Sequence, residues 1–266
     1  SETGAVFYRV EQMERRTKND SAFYNFPSAT QFSSLMNIDV SHMYQNVGME
    51  GGKNFYCYNG ATPLISSMLS MKYTIADSDK EESPYRKLTA NSGDVYLYEN
   101  TYALPLGFVV SEELMQEWLT EDHGDVVNVN ELALLLGADS AFLVPVDTKD
   151  EEGVTTLEVR QDGYYFLSRN KISFDSLTME SSDGRSKSYS KTSHNYFLDL
   201  GYAKAGDVIQ IKNKEEETLK TMGYYINETA LAKAYGALSE QTMQVTKNEI
   251  TEIEGTIKVE KAGYLV

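Results

Sequence analysis

Apolar and polar side chains alternate with a period of two along VFYRVEQ (6–12) and again along DVYLY (94–98), the pattern of half-buried strands. Between them the spacing lengthens to that of helices. Asp39 or Ser41 is placed to cap a short helix carrying Met43, Tyr44 and Val47, with Gly48 as its stop. Thr62 followed by Pro63 opens a second helix, whose face is marked by Leu64, Ile65, Met68 and Leu69, and KYTIA then reads as a strand. The aromatic stretch DSAFYNFPSATQFSS is a loop in this reading, with Pro27 preventing any long helix.

The run YENTYALPLGF (98–108) is the most distinctive of the chain. Pro105 fixes its own φ and biases Leu104 towards extended backbone, so the chain re-enters a strand over Gly107, Phe108, Val109 and Val110. Ser111 caps a helix with Glu112 and Glu113 in its first turn and Leu114, Met115, Trp118 and Leu119 on its face. EDHGD (121–125) reads as an acidic loop, Asn130 as the cap of a short helix ended by Gly137, and AFLVPV as a strand.

Beyond Pro145 the texture becomes that of an antiparallel β protein. TTLEV, GYYFLS, YFLDLG and DVIQIKN are strands separated by DG, SSDG and AGD turn signals. A helix over ETALAKAYGAL, capped by Asn227, interrupts them before MQVTKNEITEIEGTIKV returns to strands. The expected fold is α+β, with a mixed α/β N-terminal region (1–148) followed by a β-rich antiparallel sandwich or jelly-roll-like region (149–266) that holds one inserted helix.

Composition narrows the functional classes. A net charge of −16 argues against nucleic acid or anionic lipid as a main partner, because the densest basic group, Arg15, Arg16 and Lys18, is surrounded by Glu11, Glu14 and Asp20. The single cysteine, Cys57, forbids an internal disulfide and a thiolate metal cage, and its aromatic neighbours suggest a packed small side chain. Nineteen tyrosines with abundant Ser, Thr and Asn favour a β-rich extracytoplasmic chain. No apolar window is long enough to span a bilayer. The absence of an initiator Met before SETGAVFYRV, and an ending in AGYLV, suggest a piece of a longer protein.

Catalytic and cofactor motifs are not found. His42, His123 and His194 lack metal-ligand spacing, there is no GxSxG elbow, and GMEGGKN (48–54) reads as a flexible surface turn and not as a phosphate loop. No catalytic residue, metal or cofactor is therefore expected. The acidic patch Glu121, Asp122, His123 and Asp125 is a solvated turn without calcium-loop spacing. Loop aromatics beside amides are the candidate sugar contacts: Tyr24 with Asn25, Tyr58 with Asn59, and the polar turn Glu99 and Asn100. Asn19 and Asn227 match a short glycosylation acceptor pattern that arises readily by chance.

The blocks FYRVE, FYNFPSATQFSS, YNGATPLISSMLSMKYTI, YENTYALPLGFVVSEE, NVNELALLLGADSAF and IEGTIKVEKAGYLV, in that order, resemble the extracytoplasmic part of the bacterial YfhO family of multispanning membrane proteins. The resemblance is strongest over residues 7–145. It implies a GT-C-type glycosyltransferase parent that adds sugars to lipoteichoic acid or other cell-envelope polymers from a lipid-phosphate sugar donor. It also implies that the catalytic acidic residue lies in a loop outside this chain. The expected role is a non-catalytic domain at the extracytoplasmic face of the cell membrane, partnered by its own transmembrane domain and by a cell-envelope glycan or lipid-linked sugar. A stand-alone surface carbohydrate-binding or adhesion module is the alternative.

Overall fold

The computed structural model describes residues 7–118, 124–169, 175–213, 219, 221–249 and 252–266. Its first part runs β1 (Arg9–Gln12), α1 (Asp20–Tyr24), β2 (Gln31–Phe32), α2 (Ile38–Asn46), β3 (Glu50–Gly52), β4 (Phe55–Cys57), α3 (Pro63–Met68) and β5 (Met71–Ala76). Next come β6 (Arg86–Ser92), β7 (Val95–Asn100), β8 (Val109–Val110), α4 (Glu112–Glu117) and α5 (Asp125–Leu135). The β-rich part holds β9 (Leu143–Val146), β10 (Thr148–Glu151), β11 (Val154–Glu158), β12 (Gly163–Arg169), β13 (Ser176–Ser181) and β14 (Ser186–Ser190). After β15 (Leu198–Ala203), β16 (Val208–Lys212) and β17 (Thr221–Ile226) come α6 (Glu228–Ser239), β18 (Met243–Asn248), β19 (Ile253–Ile257) and β20 (Tyr264–Leu265). This is the expected α+β region followed by an antiparallel β-rich part.

Three predicted helix starts are confirmed by side-chain caps, since each depends on residues within one turn. Thr62 accepts from the Ile65 amide with Pro63 at the first helical position, Ser111 accepts from Leu114, and Asn227 accepts from Thr229 and Ala230. Two other starts differ from expectation. Asn37, not Asp39 or Ser41, caps α2 by accepting from the Asp39 amide, which leaves Ser41 inside the helix to donate to the Gly52 and Phe55 carbonyls. Helix α5 starts at Asp125, so Asn130 lies in its interior, where its side chain satisfies both the amide and the carbonyl of Leu143 and ties the helix to β9. Of the acidic turn, Glu121, Asp122 and His123 lie outside the described residues, as does Leu119.

The first sheet has the order β1-β5-β7-β6, with β1 parallel to β5 and the other pairs antiparallel. Strand β6 had no clear signal because almost every residue in it is exposed, which erases alternation. Two antiparallel sheets follow, β15-β12-β17-β9 and β10-β11-β16-β13-β14. A hydrophobic cluster joins them through Leu157 of β11, Tyr165 and Leu167 of β12, Met179 of β13, Leu198 of β15, and Ile209 and Ile211 of β16.

Strand β12 faces two cores. Its alternate residues Tyr164 and Phe166 belong to a separate cluster with Leu64 and Ile65 of α3, Leu132 of α5, and Leu231 and Leu238 of α6. Burial on both faces explains why GYYFL reads as a continuous apolar run. The helix α6 thus packs on α3 and α5, in the same cluster as the N-terminal elements.

The segment 48–54 corrects the expectation of a flexible surface turn. Met49 and Glu50 are buried, and β3 pairs with β4. Gly48 has φ +79 and lies so close to Phe197 that a Cβ there would sit 2.2 Å from the ring; its carbonyl accepts from the Phe197 amide at 2.8 Å. Glycine spacing at this position serves a close approach between distant parts of the chain.

Candidate functional site

Phe197, which Gly48 approaches closely, also lines a cleft of about 410 Å³, walled by the loops after β1 and β4, by residues just beyond β5, and by β14 and β15. Its chemistry is set by ion pairs that cross from the first sheet to the second part of the fold. The Arg86 guanidinium donates to Asp199 Oδ2 at 3.2 Å and to Glu81 Oε2 at 3.3 Å. Lys187 Nζ donates to the same Glu81 oxygen at 3.2 Å. Asp199 also accepts from the Tyr164 hydroxyl at 2.7 Å and, through Oδ1, from the Gly201 amide at 2.9 Å. Burial opposes its ionisation, but the charges of Lys187 and Arg86 together with the Tyr164 hydrogen bond hold its carboxyl below the usual range.

A second network backs the other wall. Glu50, 1 % exposed, accepts from Lys18 Nζ at 2.7 Å, from His194 Nδ1 at 2.8 Å and from Asn59 Nδ2 at 2.7 Å. Burial would raise its pKa; the hydrogen bond and charge of Lys18, and then His194, hold it lower than normal. Asn59 Oδ1 in turn accepts from Arg15 Nη1 at 2.8 Å, and Arg15 reaches Glu11 at 3.3 Å. Arg15 Nη1 also lies 2.9 Å from Cys57 Sγ, yet burial pushes that thiol up to about 11. Cys57 is therefore a packed thiol, as its aromatic neighbours suggest. The basic group Arg15 and Lys18 is spent on internal carboxylates.

Of the six candidate contact residues, the fold brings Tyr58 and Asn59 to the wall of this cleft. Tyr58 is 6 % exposed, with its hydroxyl 2.7 Å from Ser66 Oγ and its amide donating to Thr30 Oγ1. Tyr24 and Asn25 are not part of the wall: Tyr24 is exposed at the end of α1, and Asn25 takes the left-handed conformation that ends that helix. Glu99 is half-exposed on β7, 3.8 Å from Lys72. Asn100 holds a turn, donating to the Met71 carbonyl and accepting from the Tyr102 amide. Among the described residues no group of three His, Cys, Asp or Glu side chains is arranged to hold a metal ion.

Sequence reasoning did not single out Arg86, Asp199, Glu81 or Lys187. One signal was present: Asp199 is a charge in the middle of the apolar strand run YFLDLG, and such a group needs a buried partner. The cleft lining carries four carboxylates (Glu14, Asp77, Glu81, Asp199) against three cations (Arg15, Arg86, Lys187), so its charge is close to balanced. Ser78, Ser186, Ser188 and Ser190 are neutral polar residues that also line it.

These features describe a mixed α+β domain with a polar, charge-balanced cleft, and comparison places it among the bacterial membrane proteins. The chain belongs to the YfhO family: the family described as "Bacterial membrane protein YfhO" matches residues 1–266. Neither the curated proteins nor the solved structures compared with the chain include a match. Among the described residues no helix is long and apolar enough to cross a membrane.

Proposed function

We propose that this domain works at the extracytoplasmic face of a bacterial membrane and assists glycosylation of cell-envelope polymers such as lipoteichoic acid, holding a glycan acceptor or the sugar of a lipid-linked donor in the cleft beside Tyr58 and Asn59. The observation that carries this reading is the charge balance of the cleft. Its cations Arg86 and Lys187 are already committed to Glu81 and Asp199, so the wall offers alternating donors and acceptors and no free anion site. Such a surface suits a polyhydroxylated ligand, whose hydroxyls donate and accept at once. Membership of a membrane protein family with no described membrane-crossing helix fits a role outside the bilayer.

The domain is assigned no catalytic step of its own. Asp77 lies exposed just beyond β5 in the cleft lining, so Asp77→Trp narrows the space with little cost to the fold. Calorimetric titration with cell-envelope glycan fragments should show binding to the wild-type chain and its loss in Asp77→Trp at unchanged melting temperature. Equal binding by both proteins would place the sugar elsewhere, and turnover of a lipid-linked sugar by the isolated chain would overturn the non-catalytic assignment.

A further inference from the structure

Two stretches of eighteen residues, 21–38 and 54–71, carry no charged side chain in a chain with forty acidic and twenty-four basic residues. One of them is core: Tyr58, Leu64, Ile65 and Met71 are all buried. The other is surface. Leu35 is 94 % exposed, Phe23 79 %, Tyr24 60 % and Phe32 50 %, and Ile38 at the start of α2 is exposed as well. Scattered exposed apolar side chains need no explanation, but a charge-free run that exposes several does.

The run is held in a defined shape. The Asn19 side chain donates to the Phe32 carbonyl at 3.1 Å and accepts from the Phe32 amide at 2.9 Å, which fastens the loop before α1 to β2. Asn37 caps α2, and the Tyr44 hydroxyl donates to the Ala29 carbonyl from beneath. Aromatic and aliphatic tips interspersed with Ser, Thr, Asn and Gln have the composition of a surface that sits at the boundary of headgroups and acyl chains.

We infer that residues 21–38 form a membrane-docking face, which seats Phe23, Tyr24, Phe32 and Leu35 in the interfacial layer of a lipid bilayer. Two observations select the bilayer as occupant. The chain belongs to a family of membrane proteins, so a bilayer lies within reach and even weak partitioning is amplified by proximity. The face is neutral on a protein of net charge −16, so apolar insertion costs no charge desolvation there, and adjacent Lys18 is already paired with Glu50. Attraction to anionic headgroups is not the driving force. The inference is independent of the glycan-binding reading of the cleft.

Flotation of the 266-residue chain with phosphatidylcholine vesicles at high lipid concentration tests it. The wild-type chain should float, and Phe23→Asp combined with Leu35→Asp should lower the bound fraction roughly five-fold or more with unchanged melting temperature. Leu35→Asp alone, at the most exposed of these positions, should give an intermediate loss. With phosphatidylglycerol added, binding should weaken at low salt and recover as salt screens the acidic protein, the reverse of a basic-patch protein. Equal flotation of wild type and variants, or none at any lipid concentration, would overturn the inference. So would a dimer in sedimentation that the same substitutions dissociate, because the occupant would then be a second copy of the chain.

Discussion

The Arg86 guanidinium and the Asp199 carboxylate meet at 3.2 Å across 113 positions of sequence, joining β6 of the first sheet to β15 of the second part at the cleft wall. Both side chains are largely buried, so each leaves an uncompensated charge if the other is removed. Asp199→Ala and Arg86→Met are each expected to destabilise the protein by about 3–5 kcal/mol in urea denaturation, and the double variant by less than the sum. Strict additivity would mean that the contact contributes nothing.

Acid should unfold the protein through Glu50 and Asp199. Both carboxyls are held below their ordinary values in the folded state. Their contribution is therefore complete above the unfolded carboxylate range near about 4 and is lost as pH falls through the lower folded values. Glu50→Gln should lower the melting temperature at neutral pH, by about 2–3 kcal/mol of stability, and flatten its decline below about pH 5. An equally steep decline in Glu50→Gln and Asp199→Asn proteins would assign acid unfolding to other groups.

Cys57 should be unreactive while the chain is folded. With the thiol fully buried and its pKa pushed up to about 11, alkylation at neutral pH is expected to run on the order of a hundredfold slower than in urea-unfolded chain. A rate close to that of the unfolded chain would show that the β4 region opens.

Gly48→Ala should be costly for a reason local to one contact. The added Cβ would collide with the Phe197 ring at 2.2 Å, and φ +79 is unfavourable for any L residue. A loss of about 1–3 kcal/mol is expected. Gly93→Ala, at φ +58 with nothing within 4 Å of its Cβ, gives the backbone part alone. If the two variants lose the same stability, the Phe197 contact is soft.

What could be read from the sequence was local. Thr62, Ser111 and Asn227 reveal their helices because cap and helix lie within four residues, and the β-rich second part shows itself by its turns. Asn130 misled because an asparagine before an apolar run looks like a cap, whereas its partner, Leu143, lies on another element. The cleft was half visible: Tyr58 and Asn59 were in view, but Glu81, Arg86, Lys187 and Asp199 converge only after folding. Burial also changes which experiment is informative. Tyr58→Ala would empty a packed site, so a cleft-narrowing substitution at the exposed Asp77 is the cleaner test of ligand binding.

Strand β12 gives Tyr164 and Phe166 to one core and Tyr165 and Leu167 to the other. A strand with one wet face accepts substitutions at every second position, which is where sequence drift ordinarily accumulates. Here neither set of positions is spare, so saturation mutagenesis of residues 164–167 should return an unbroken intolerant block with no alternation. That block would remain the most slowly changing stretch of the domain even if the ligand in the cleft were exchanged for another.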